Sequence, residues 1–148
     1  MQDTPAHRAI TSLQRLTGAF AERRRQLAAE SGLTETQWRV LEEVGGEDFL
    51  PSMFARRSAV TAAAISRTLR QLLERDLVKA SIGAEDGRQR VYRLTPKGRR
   101  ALDKVHAARE AAVAEVWATL PVRELASFSG FAERLAERLE RYAEEHRR

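Results

Sequence analysis

The run from Thr61 to Gly98 restricts the possible folds of this chain more than any other segment. Thr61 is a good helix cap, and the residues after it carry Ile65, Leu69, Leu72 and Leu73 on one stripe at helical spacing. After Leu77-Val78 the period changes to two, with Val78, Ala80 and Ile82 set against Lys79 and Ser81, then Tyr92 and Leu94 against Arg93. Gly83 and Asp86-Gly87 supply the turn chemistry between these short runs. A helix that leads directly into a hairpin with the tip Asp86-Gly87-Arg88-Gln89-Arg90 has the outline of a winged helix-turn-helix.

The segments before it complete that outline. Pro51 opens a short helix through Met53 and Phe54 toward Arg57, and three residues separate it from the Thr61 cap, the layout of a helix-turn-helix. Upstream, Thr34 and Gln37 have capping-box spacing and start a helix that turns Trp38, Leu41 and Val44 inward before Gly45-Gly46 ends it. A long amphipathic helix over about Thr4–Ser31 carries Ile10, Leu13, Leu16, Phe20 and Leu27. Downstream, Thr95-Pro96 caps a fifth helix with a seam at Leu102, Val105, Ala112, Val116 and Leu120. A sixth, from about Pro121, spaces Leu125, Phe128, Ala132, Leu135, Leu139 and Tyr142 as a heptad seam.

The expected fold class is therefore mainly α with a small β-hairpin wing. Residues 33–95 are read as a winged helix-turn-helix, and 1–32 with 96–148 as a helical dimerisation region, all within one integrated domain. The terminal seams exceed what a winged domain of about 60 residues needs for its own core, so they predict a homodimer. Two-fold symmetry is also what a palindromic DNA site requires.

Charge distribution supports a polyanion partner. Leu50 to Arg100 holds twelve Lys and Arg against four carboxylates, a net +8, whereas the whole chain carries +5 and the remainder therefore −3. A basic middle between mildly acidic ends fits a nucleic-acid-binding face on a neutral scaffold. Cysteine is absent, which removes thiol catalysis and thiol switching. His7, His106 and His146 sit on separate segments, so no metal site and no cofactor is expected. No apolar run reaches membrane-spanning length and the first ten residues lack a signal-peptide core, which predicts a soluble, cytoplasmic protein.

Specific residues can be assigned to the DNA contact. In a helix-turn-helix the exposed face of the second helix enters the major groove, where small residues permit close approach and longer ones reach base edges. Here that face is Thr61, Ala62, Ala63, Ser66, Arg67 and Arg70. In the wing, Arg88 and Arg90 follow a tight turn on a basic ribbon, where a guanidinium suits a narrow, negative minor groove.

These residues resemble the MarR-type transcriptional regulators over nearly the whole chain. Leu33-Thr34 with Gln37-Trp38-Arg39-Val40-Leu41 looks like the family's second helix. Ile65-Ser66-Arg67 with Leu72 and Leu77-Val78 looks like its recognition helix and exit. Asp86, Arg88 and Leu94-Thr95-Pro96-Lys97-Gly98 match its wing signature. The resemblance implies an obligate homodimer on a pseudo-palindromic operator, commonly a repressor released by a small, often aromatic and anionic, ligand. It also implies that Asp86 orients the wing and Arg88 enters the minor groove. Three positions depart from the pattern: Asp76 replaces a usual Gly, Ala80 a frequent Arg, and Gly87 a common first wing Arg.

In the related architecture the ligand lies among the first, second and fifth helices, which directs attention to Arg15, Phe20, Trp38 and Trp117. Arg15 is suited to pairing with a carboxylate and Trp38 to stacking on a ring. The alternative leaves Arg15 in a dimer salt bridge and both tryptophans in the core. No nucleophile–base arrangement or phosphate-binding glycine loop is evident, so the chain does not read as an enzyme. An effector-independent architectural DNA-binding protein and a helical protein-interaction module are the competing readings.

Overall fold

Local capping chemistry sets the helix boundaries. The computed structural model describes residues 4–46, 49–83 and 89–147, which form two compact units, Met1–Arg109 and Glu110–Arg148. In the first unit, α1 (Pro5–Glu30) begins at Thr4, whose hydroxyl accepts the His7 amide, with proline in the first turn. It ends in a Schellman turn: Gly32 has φ +70° and the Leu33 amide donates to the Ala28 carbonyl at 2.9 Å. That turn delivers the chain to α2 (Glu35–Gly45), where Thr34 and Gln37 form the complete capping box.

Helix α3 (Pro51–Arg57) is opened by its proline and α4 (Ala62–Glu74) by Thr61, whose hydroxyl accepts the Ala64 amide at 3.2 Å. Strands β1 (Val78–Ile82) and β2 (Arg90–Leu94) pair antiparallel, Val78 opposite Leu94 and Ile82 opposite Arg90. Helix α5 (Pro96–Ala112) follows directly.

The core of this unit runs from Leu27 to Val105. Leu41, Ile65, Leu72, Val40 and Val105 are its largest fully enclosed side chains, supported by Trp38, Phe54, Leu69, Leu77 and Leu102. Truncating any of these large aliphatics to Ala costs about 2–5 kcal/mol, because the lost transfer energy adds to that of the cavity. Every helix from α2 to α5 contributes, whereas α1 buries only Leu27 and Ala28.

Two expectations need correction. The period-two apolar set of β1 is real in register, yet burial stops at Val78: Ala80 is exposed and Ile82 is 72% exposed. A two-stranded ribbon has no further layer above it, so only its root reaches the core. The seam expected from Leu102 to Leu120 is not one α-helical stripe. Leu102 and Val105 are buried, but Val113–Trp117 is a π-helical turn that breaks the 3.6-residue repeat, and Val116 and Leu120 are exposed.

The second unit contains that π turn and α6 (Val122–Glu145). None of its described residues is buried; Leu125, Ala132 and Leu135 are half-buried, while Phe128, Leu139 and Tyr142 are exposed. Among the described residues no helix is long and apolar enough to cross a membrane.

Candidate nucleic-acid interface

The inward stripe of α4 determines what the helix presents outward. Ile65, Thr68, Leu69 and Leu72 are buried, and Thr68 turns its hydroxyl onto the Ala64 carbonyl at 2.8 Å. Thr61, Ala62, Ala63, Ser66, Arg67 and Arg70 are consequently all exposed, the last five following one another along a single face at helical spacing. Two methyl groups near the helix start leave the backbone approachable. Behind them stand a hydroxyl and two guanidiniums able to reach base edges or phosphates.

The other end of α4 is held by α2. Gln37 is buried; its amide nitrogen donates to Gln71 Oε1 at 3.1 Å, and its Oε1 accepts from Arg75 Nη1 at 3.1 Å and from the Thr34 amide at 3.0 Å. One side chain thus closes the α2 capping box and ties that helix to the end of α4. The capping-box spacing flagged Gln37 and Thr34. The tie to Gln71 and Arg75 has no sequence signal, since those residues lie more than thirty positions away.

Several arginines are occupied structurally. Arg57 pairs with Glu43 at 3.0 Å, Arg75 with Gln37, and Arg24 of α1 with Glu35 at 2.7 Å. Arg56, Arg67, Arg70, Lys79, Arg90, Arg93, Arg99 and Arg100 are exposed with no hydrogen-bond or ion-pair partner among the described residues. The basic stretch therefore separates into cations that brace the fold and cations left to solvent.

The ribbon rises from a tightly specified root. Thr95 Oγ1 donates to the Asp76 carbonyl at 2.6 Å and accepts the Gly98 amide at 3.0 Å, so one hydroxyl caps α5 and anchors the turn after α4. Lys97 Nζ donates to the Arg75 carbonyl at 3.0 Å. Asp76 has φ +56°, in the left-handed region, which accounts for the usual glycine at this position in the family pattern.

Asp86 and Arg88 lie outside the described residues. Arg90 is described and exposed, at the outer end of β2. With Tyr92 it borders an open groove of about 320 Å³ whose other walls are Pro51, Ser66, Leu69, Arg70 and Leu73. Tyr92 is braced edge-on by Phe49, ring centroids 6.1 Å apart. The groove brings recognition-helix and wing arginines to opposite walls.

Three of the four effector candidates lie in the first unit and one in the second. Arg15 and Phe20 are exposed on α1, Trp38 is buried in the core, and Trp117 is half-exposed in the π turn of the second unit. Trp38 Nε1 is enclosed without a hydrogen-bond partner among the described residues. No group of three or more His, Asp or Glu among them is arranged to hold a metal. His106 instead meets Glu42 across α5 and α2, His7 meets Thr4, and His146 stacks on Tyr142.

Comparison with known proteins extends this picture. Residues 31–89 match the MarR family, a span that contains α2, the helix-turn-helix and β1. A probable transcriptional regulator from Pseudomonas aeruginosa is 30% identical; the alignment covers 83% of this chain and 96% of that one, with a TM-score of 0.62. A MarR family transcription regulator superposes with a TM-score of 0.86 at 19% identity, covering 95% and 93% of the two chains. Staphylococcus aureus MarR, solved in complex with salicylate and kanamycin, has a TM-score of 0.73 at 19% identity, with 92% and 93% coverage. No protein of curated function matches the sequence.

Proposed function

Because this chain belongs to the MarR family of winged-helix transcription regulators, we propose that it binds double-stranded DNA sequence-specifically as a homodimer on a pseudo-palindromic operator and represses from it. The observation that carries this reading is the exposed face of α4. Ala62, Ala63, Ser66, Arg67 and Arg70 are turned outward by a fully buried inner stripe, with Arg90 of the ribbon across the groove from Arg70. In this reading α4 lies in the major groove and the wing in the adjacent minor groove, with Asp86 orienting the tip and Arg88 entering beside Arg90. Residues 1–32 and 96–148 supply the dimer contact, a role favoured by the exposed apolar positions Ile10, Leu13, Phe128, Leu139 and Tyr142.

Selection of bound duplexes from a random pool tests the proposal. The expected result is a two-fold-symmetric site with half-sites about one helical turn apart, bound with steep salt dependence. A sequence-independent binder would enrich no site, and a protein-interaction module would bind no duplex.

The effector in this reading is an aromatic carboxylate whose acid group pairs with Arg15 of the first unit. One observation favours it: the related Staphylococcus aureus MarR holds salicylate. Trp38 is buried in the core, so the expected stacking of its ring on the effector is corrected to a packing role. A panel of phenolic and aromatic acids should contain at least one that raises the melting temperature and releases the selected duplex. If every member fails on both counts, this effector class is wrong.

A further inference from the structure

The antiparallel register assigns the ribbon two chemically different faces. Directly opposed residues share a face, so Val78 with Leu94, Ala80 with Tyr92 and Ile82 with Arg90 line one side. This is the side of Tyr92 and Arg90, which border the groove against α4. The other side carries Lys79 directly opposite Arg93, followed by Ser81 opposite Val91.

A lysine facing an arginine across a two-stranded ribbon is unfavourable for folding, because like charges in direct opposition repel. Both side chains are exposed, and neither meets a carboxylate or any other hydrogen-bond partner among the described residues. Other exposed arginines of this unit are neutralised by nearby acids, as in Arg57–Glu43 and Arg24–Glu35, but this opposed pair has none among the described residues. Two opposed cations become favourable once an anion bridges them. Arg93 stands three residues along β2 from Arg90, one of the expected minor-groove arginines, so the nearest polyanion is the duplex backbone.

We propose that Lys79 and Arg93 form a phosphate clamp on the ribbon face turned away from the recognition helix. A wing seated in the minor groove has one sugar-phosphate strand on each side, and the clamp takes the strand on the side away from the recognition helix. It contacts phosphate only, and so adds affinity and salt dependence without base preference. This inference rests on the DNA-binding reading above.

The test uses the full-length protein and its selected duplex, comparing the parent with Lys79→Gln, Arg93→Gln and the double variant. The clamp predicts opposite signs in two measurements. The melting temperature of the double variant is equal to or higher than the parent's, because repulsion is relieved. Its affinity falls about tenfold at physiological salt, and the slope of log affinity against log salt becomes shallower by about 1 to 2, as expected for one or two lost phosphate contacts. The selected sequence itself stays the same.

Unchanged affinity and slope in the double variant overturn the clamp while leaving the DNA-binding reading intact. A lowered melting temperature with a shifted base preference also overturns it, by showing that the pair shapes the wing. A parent protein that binds no duplex overturns both.

Discussion

Gly98 meets the main chain of Leu77 so closely that a Cβ at position 98 would lie 1.9 Å from the Leu77 carbonyl oxygen. That carbonyl also accepts the Thr95 amide at 3.1 Å, so the first turn of α5 is pressed main chain to main chain onto the exit of α4. Any larger residue must separate the two segments. Gly98→Ala should cost about 3 kcal/mol or more, at the upper end for single substitutions. A denaturant midpoint equal to the parent's would refute the close approach.

Asp76, one residue before Leu77, is held at φ +56°. Glycine adopts that conformation without strain but loses more entropy on folding, and the balance favours it modestly. Asp76→Gly should stabilise the protein by about 0.5–1 kcal/mol, since the Thr95 bond goes to the Asp76 main-chain carbonyl and survives the change. Thermal melting of the two proteins side by side measures the sign.

Gln37 links two helices through three polar contacts. Gln37→Leu leaves Gln71 and Arg75 without their partner and removes half of the capping box, a loss of about 2–3 kcal/mol. Because the same contacts hold the end of α4, discrimination between selected and random duplex should narrow as well. Gln37→Glu should recover part of the stability, as its carboxylate can still accept from Arg75. Chemical denaturation and competition binding together separate these effects.

Residues of the recognition helix and arginines of the wing should behave differently. Arg67→Ala and Ser66→Ala are expected to alter preference at particular base pairs. Arg88→Ala and Arg90→Ala should weaken binding across sequences and make its salt dependence shallower. Competition against single-base variants of the selected site distinguishes the two patterns; equal affinity for Arg88→Ala and the parent removes the wing tip from the mechanism.

Placing a charge on the α6 seam tests the dimer. Leu139 is 55% exposed within the chain, so a glutamate there adds little strain to an isolated protomer. Leu139→Glu should shift sedimentation toward monomer and lose at least tenfold in operator affinity. A stable dimer in this variant would place the interface elsewhere.

Most of the fold was legible because its signals are local. The Thr34–Gln37 box, the Thr61 cap, the helix-opening Pro51 and the Ile65, Leu69, Leu72 stripe each lie within a few residues of what they determine, and each acts where its spacing placed it. The exposed face of α4 followed from that stripe by subtraction. The reading weakened where periodicity stood in for burial. Ile82 has the right alternation but no layer to cover it, and Val116 has helical spacing across a π turn that breaks the count.

The sequence by itself determined the order and type of the elements, the caps, and which side of the recognition helix faces out, because these depend on residues one to four positions apart. Tertiary structure alone decided which cations are free, since Arg57 and Arg75 are claimed by Glu43 and Gln37 from distant positions while Arg67, Arg70 and Arg90 are not. It also decided that Lys79 faces Arg93, a consequence of strand register. A one-residue slip in that register would bring different side chains into opposition.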